Sequence, residues 1–232
     1  MSNPQNGLIA LLPARDRKRL LAQCEPTQLV LGEVVCEAGS VLQHVHFPLD
    51  AFISLLAVEG EHSRLEVGRV GHEGMLGVHQ FLGVAQAPLR ALVQGAGTSL
   101  RMATGDFQAA VKASAALQTV MSRYVHVCMQ HLATSALCLR FHQVGPRLAR
   151  WLLMTQDRAC SDRFHVTQDF LSTMLGVRRV GVTAAALLLQ ERGLIAYHRG
   201  DMQVLDRGGL QAAACSCYAS DQQAYQAPLE PG

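Results

Sequence analysis

Charge is scarce in this sequence, and one kind of it is nearly missing. Charged residues make up 16% of the 232 positions, well under the usual quarter, and only Lys18 and Lys112 stand beside 18 arginines. The balance of 20 basic against 18 acidic side chains gives a formal charge of +2. A globally basic nucleic-acid coat is therefore excluded, and any contact with a polyanion must come from a local patch. Such a patch would be built from arginine, whose planar fork makes bidentate contacts that lysine cannot. Long apolar runs are also missing. No stretch reaches the roughly 18 residues needed to cross a bilayer, and the best charge-free helical candidate, Val125 to Leu139, is interrupted by His, Gln, Thr and Ser. Arg15, Arg17, Lys18 and Arg19 follow the apolar segment Gly7 to Ala14, the reverse of a secretory signal. No membrane partner is expected, and the chain reads as cytoplasmic. Seven cysteines, at 24, 36, 128, 138, 160, 215 and 217, form no regular framework, so reduced thiols are expected. No Gly-rich phosphate loop, paired zinc ligands or nucleophile elbow is found, and an enzyme is not expected.

What is present changes texture along the chain. Ala10 to Cys24 reads as one short helix. From Leu29 to Met102, short Val, Leu, Phe and Ile runs are punctuated by glycines, which predicts a small antiparallel sandwich or barrel. Glu59-Gly60-Glu61 suits a hairpin tip, and Gly71-His72-Glu73-Gly74 offers two positions free of a Cβ. Asp106 to His142 contains neither proline nor glycine, predicting one long helix or two with a slight break. A helix over Leu117 to Phe141 would span about 35 Å, too long for one small domain to cover. Its stripe Leu117, Val120, Tyr124, Val127 and His131 suits a helix-helix seam, softened by Thr134 and Cys138. The alternative is burial within its own chain. Gly145-Pro146 punctuates the chain. Beyond it, Leu148, Trp151, Leu152 and Leu153 share one helical face, and Arg158 to Arg163 reads as a polar loop. Ser220 to Gly232, polar with two prolines, reads as a loose tail.

The most informative segment is Val166 to Ile195, VTQDFLSTMLGVRRVGVTAAALLLQERGLI. Thr167 can cap a helix that ends at Gly176, where a missing Cβ permits a left-handed turn, and a second helix follows at once. Ser172 falls where the two helices approach, and Leu171, Leu175, Val177, Val182 and Ala185 fall inward, which is helix-turn-helix spacing. Arg178 and Arg179 then stand at the mouth of the second helix, with Thr183 one turn beyond. Arginine forks match guanine edges, threonine can meet a thymine methyl or a phosphate, and the helix N-terminus favours phosphate. Leu194 to His198 and Met202 to Asp206 read as strands about a turn at Arg199-Gly200-Asp201, a wing with His198 and Arg199 near its tip. From Gly145 to Leu210 there are nine arginines and six acids, so the excess is modest and DNA affinity should require a dimer.

A glycine-punctuated β unit, a long helix and a winged helix-turn-helix, with GEVVCEAGS at Gly32 to Ser40 and LSTMLGVRRVGVTAAALLLQERGLI, resemble the Crp/Fnr family of bacterial transcription regulators. The resemblance covers nearly the whole chain. It implies an α+β fold: a jelly-roll-like antiparallel β-roll sensor over 1–106, a long dimerisation helix over 107–144, a winged helix-turn-helix DNA-binding domain over 145–212, and a tail over 213–232. It implies a homodimer on a palindromic double-stranded operator, with RNA polymerase a further partner. Arg178, Arg179 and Thr183 then inherit base or phosphate contacts, and Gln168 a backbone contact, with His198 and Arg199 added from the wing. Ala184 stands where the family often places a second base-reading arginine.

The sensor departs from the family's cyclic-AMP pattern. Gly77-Val78 replaces a Gly-Glu pair, Leu89-Arg90 stands one residue out of step with an Arg-Ser pair, and Leu132-Ala133 occupies the adenine-facing positions. Arg90 would serve a phosphate only if a bulge reversed the strand alternation. With Arg90, Leu132 and Ala133 as the candidate ligand residues, the effector is expected to differ from cyclic AMP. Cys24 and Cys36 are too few for an N-terminal iron-sulfur cluster. Cys215-Ser216-Cys217 has no histidine nearby in sequence and reads as a bystander pair, and His126, His131 and His142 with Cys128 and Cys138 do not stack on one face; no cofactor or metal is required. Two alternatives remain: a cyclic-nucleotide module acting on a protein partner, and a thiol-based redox enzyme using Cys215 or Cys217.

Overall fold

The computed structural model describes residues 5–60, 63–159 and 161–229. The chain opens with two short helices, α1 (Gly7–Ala10) and α2 (Ala14–Leu21), where one helix was expected. Pro13 sits at the junction and cannot donate a backbone N-H into a continuous helix. Asn6 fixes the start: its side chain accepts from the amides of Leu8 and Ile9 and donates to the carbonyls of Pro48 and Gly74.

Seven strands follow: β1 (Glu25–Leu29), β2 (Val34–Cys36), β3 (His44–Pro48), β4 (Phe52–Glu59), β5 (Ser63–Val70), β6 (Arg90–Gly95) and β7 (Gly97–Ala103). They pair antiparallel in two sheets, ordered β1-β7-β3 and β2-β6-β4-β5. This is the expected β-roll. Gly60 begins the β4-β5 turn, while Glu61 lies outside the described residues. Gly71 and Gly74 are needed for close approach: a Cβ on Gly74 would stand 2.4 Å from the Tyr124 hydroxyl, and one on Gly71 2.6 Å from Glu73 Oε2.

The glycine-free stretch forms α3 (Thr104–Ala113) and α4 (Ala115–Phe141). Ser114 makes the break, with extended dihedrals and a hydroxyl that accepts from the Leu117 amide at 3.1 Å. The stripe expected to form a seam between chains is buried within this one. Leu117, Val120, Tyr124 and Val127 pack with Leu8, Leu20, Phe47, Met75 and Phe107. The Tyr124 hydroxyl accepts from the Met75 amide at 3.1 Å and lies 3.2 Å from the Met75 carbonyl.

His131, Thr134 and Cys138 continue the buried stripe. Near them runs a second helix, where a loose tail was expected. Residues 217–229 form a helix packed on α4, while 230–232 lie outside the described residues. Two of the polar residues that made the segment look solvated face inward: Asp221 accepts from Arg150 at 2.6 Å, and the Tyr225 ring meets His131 edge-on at 4.7 Å, while Gln222 and Gln223 are exposed. On the other face of α4, Met129, Leu132, Leu137 and Phe141 are exposed.

The C-terminal unit comprises α5 (Val144–Ala159), β8 (Arg163–His165), α6 (Gln168–Leu175), α7 (Arg179–Glu191), β9 (Ile195–His198), β10 (Asp201–Val204) and α8 (Arg207–Ala213); the helix over 217–229 is α9 (Cys217–Leu229). Gly145-Pro146 lies inside the first turn of α5, where the missing proline N-H breaks no helical bond. The break instead falls at His142, which is extended. Leu148, Trp151, Leu152 and Leu153 join one core with Leu171, Val182 and Leu210, and Leu56 of β4 enters the same cluster.

Two buried arginines tie this unit to the β-roll. Arg69 bonds Glu66 at 2.6 Å and donates to the Trp151 carbonyl at 3.1 Å and Thr155 Oγ1 at 2.9 Å, with its guanidinium 4.3 Å from the Trp151 ring centroid. Arg158, at the edge of the segment that reads as a polar loop, is buried and donates to Glu73 Oε1 at 2.9 and 2.6 Å. Burial pushes the Glu73 carboxyl up, but the Arg158 guanidinium, a backbone hydrogen bond and His72 together outweigh it and hold the group below the ordinary carboxylate range. Stabilisation from this pair is therefore complete above the unfolded carboxylate value and is lost as pH falls through the lower folded value. Glu73→Gln strands the Arg158 charge and is expected to cost about 3 kcal/mol at neutral pH. Urea melts at several pH values check this: the difference from wild type should shrink on acidification, and a constant difference contradicts the pairing.

Candidate nucleic-acid interface

The helix-turn-helix is built as the sequence indicates. Thr167 Oγ1 accepts from the Phe170 amide at 3.2 Å, capping α6. Gly176, at φ +61°, makes the left-handed turn into α7. Leu171, Leu175, Val182 and Ala185 are buried and Val177 packs against them.

Arg178 is the N-cap of α7 and Arg179 its first residue, and no side chain caps the first-turn amides. Those N-H groups point out of the helix mouth, where a phosphate would satisfy them. Both arginines are exposed. Arg179 stands 3.5 Å from Asp169, with both side chains more than half exposed; such a pair is weak and screened by salt, so it leaves the guanidinium free to exchange partners. Gln168 Oε1 accepts from Thr183 Oγ1 at 2.8 Å and lies 3.5 Å from Arg179 Nε. Gln168 and Thr183 are only partly exposed, so in this state they hold α7 against α6.

The wing has three strands in the order β8-β10-β9; β8 gave no signal in the sequence. Arg199 at φ +51° and Gly200 at φ +93° form the β9-β10 turn, with the two positive dihedrals of a tight hairpin turn. A Cβ on Gly200 would meet the His165 ring at 2.5 Å. His198 and Arg199 are exposed beside it.

The arginine count of this unit divides by burial. Arg147 donates to the Leu175 carbonyl, Arg150 to Asp221, Arg158 to Glu73, and Arg207 to Asp157 and Gln156. Arg163, Arg178, Arg179, Arg192 and Arg199 are exposed. Four of the nine thus serve internal carbonyls, carboxylates or amides, and the outward positive charge resides on the other five.

A cavity of about 140 Å³ lies between the β-roll and α4, lined by Leu76, Val78, Leu89, Tyr124 and Leu132, with Tyr225 of α9 contributing to the wall. Of the three candidate ligand residues, the structure places Leu132 there. Arg90 turns instead to Glu37, at 3.4 Å, and Ala133 is exposed outside the lining. Arg69 borders the cavity and bonds Glu66 and α5 through Nε and Nη1, while among the described residues its Nη2 has no hydrogen-bond partner. His79 and His131 also border it, and among the described residues their Nε2 atoms have no hydrogen-bond partner. Burial pushes both imidazoles down, that of His131 against an upward pull from Asp221. They therefore offer neutral hydrogen-bonding groups in an otherwise apolar wall. Cys215 and Cys217, the thiols of the enzyme alternative, are buried; Cys160 lies outside the described residues.

Comparison with known proteins agrees with this geometry. Residues 146–213 match the family model of the Crp-like helix-turn-helix domain. No curated protein sequence matches the chain. Among solved structures, FixK2 from Bradyrhizobium japonicum is similar at a TM-score of 0.70 and 12% identity, over 83% of this chain and 98% of that one. The c-di-GMP responsive global regulator CLP of Xanthomonas campestris is similar at 0.67 and 15%, over 83% and 99%. A CRP-family transcriptional regulator from Thermus thermophilus is similar at 0.66 and 15%, over 82% and 99%. Residues 146–213 therefore form a Crp-like helix-turn-helix domain, and the chain that carries it has the fold these solved structures share.

Proposed function

We propose that the protein works in the cytoplasm as a homodimer on a palindromic operator, and that a small molecule other than cyclic AMP sets the pose of its two reading heads. The observation that carries this reading is the uncapped mouth of α7 with Arg178 and Arg179 exposed on it. The surface for a second copy is the outer face of α4. Val125, Met129, Leu132 and Ala136 follow four-three-four spacing there, with Met129 65% and Leu132 47% exposed. Apolar residues at that spacing suit pairing with an identical helix about a two-fold axis.

The effector cavity favours a ligand that is largely apolar and uncharged. Its wall is mostly apolar, and the guanidinium on it, Arg69, is already paired with Glu66, so a phosphate would have to compete for that charge. Arg69 touches both this cavity and α5, so a ligand that disturbs its bonds would be felt at the reading head. Base contacts are assigned to Arg178 and Arg179, and phosphate or base contacts to Thr183, His198 and Arg199. Gln168 would reach the DNA backbone only by releasing Thr183.

Selection of bound sequences from a random DNA pool tests the reading, and the expected product is an inverted repeat. On that DNA, at least one of Arg178→Ala and Arg179→Ala should lose about 1 to 3 kcal/mol of binding while melting like wild type. A double variant that binds the selected sequence as tightly as wild type would remove α7 from the interface. Met129→Glu places a charge in the proposed α4 seam; sedimentation should show monomer and operator affinity should fall. An unchanged dimer would mean that the two copies meet elsewhere.

A further inference from the structure

Three cysteines and a histidine outside the DNA interface and the effector cavity converge at the hinge between α4 and α5. Cys138 lies in the last turn of α4, and His142 follows four residues later, which puts both on one side. Cys215 and Cys217 flank the start of α9. One donor atom from each residue lies within 4.8 Å of all the others. Cys138 Sγ is 3.6 Å from Cys215 Sγ, and Cys217 Sγ is 3.5 Å from His142 Nδ1. All three thiols are buried and His142 is half-buried.

From this convergence we infer a mononuclear metal site of Cys3His type, fitted to zinc or a similar divalent transition metal. In a tetrahedron with metal-sulfur bonds of ~2.3 Å, two sulfurs stand ~3.8 Å apart, close to the 3.6 Å between Cys138 and Cys215. A multi-iron cluster would need its ligands spread over different irons, farther apart than this group allows. A disulfide between Cys138 and Cys215 would require the sulfurs to close to ~2.0 Å and would leave Cys217 and His142 without a shared role. Soft thiolates with one imidazole are the donor set that selects zinc over magnesium or calcium.

Charge balance agrees with the assignment. On binding, the three thiols lose their protons to solvent, so three thiolates and a divalent ion carry one net negative charge. Arg147 and Arg150 border the same small cavity as Cys138 and supply positive charge beside it. Four protein ligands leave no open position, which marks a structural site. Its effect is mechanical: the metal clamps the start of α9 to the end of the long helix, where the reading head is hinged.

The test uses the full chain, purified reduced and metal-free, and titrated with Co²⁺ alone. The expected result is about one equivalent bound per chain, with the intense visible bands and thiolate charge-transfer absorption of a tetrahedral site, displaced by Zn²⁺. Cys217→Ser should weaken Zn²⁺ binding by more than about tenfold, whereas Cys24→Ser, at a cysteine outside the cluster, should leave it unchanged. A weak octahedral spectrum in the wild-type chain overturns the site without reference to any variant. Undiminished Zn²⁺ affinity in Cys217→Ser, or a Cys138-Cys215 disulfide in the Zn²⁺-loaded protein, overturns it as well.

Discussion

The architecture depends on how the reading head is fastened to the β-roll, and that fastening is made by buried guanidinium groups. Arg69 leaves the end of β5 and is held through Nε by Glu66 on its own strand and through Nη1 by the Trp151 carbonyl and Thr155 hydroxyl of α5. Arg158 returns from α5 to Glu73. A buried charge without its partner costs several kcal/mol, so these contacts resist sliding in a way that apolar packing alone would not. They fix α5, and through its core α6 and α7, relative to the sheet that walls the cavity. Arg69 belongs to the cavity wall and to the docking contact at once.

The long helix presents three faces, two of them covered within the chain. Its Leu117 to Val127 stripe closes the β-roll core, its His131 to Cys138 stretch lies beside α9, and its Met129 and Leu132 face remains exposed. Both the inner and the outer stripes follow three-four spacing. Periodicity alone therefore identified a helix with a seam but favoured the wrong stripe, and only the packed structure separates the face used within the chain from the one open to a partner.

Much of the DNA-reading half was legible because its signals are local. Thr167 as a cap, Gly176 as a left-handed turn and Arg199-Gly200 as a hairpin tip each act over a few residues, and all three stand where the sequence puts them. What was not legible rests on contacts distant in the chain. Arg158 looks like part of a polar loop until Glu73 is brought to it, Asp221 and Tyr225 look like tail residues until α4 lies beside them, and Cys215 with Cys217 look like bystanders until His142 arrives from 75 residues away. Arginine abundance misled in the same way, since four of the nine counted in the C-terminal unit are used internally. For the ligand candidates, strand alternation already argued against Arg90, and its turn toward Glu37 agrees.

If two reading heads are held at a fixed separation by paired long helices and by these docking contacts, their recognition helices must enter the same face of DNA at a defined interval. Hydroxyl-radical footprinting of the purified full chain on its selected sequence measures this directly. The account predicts two equivalent protected patches whose centres lie one helical turn apart, at about 34 Å. A single patch, or protection without a two-fold pattern, would contradict it.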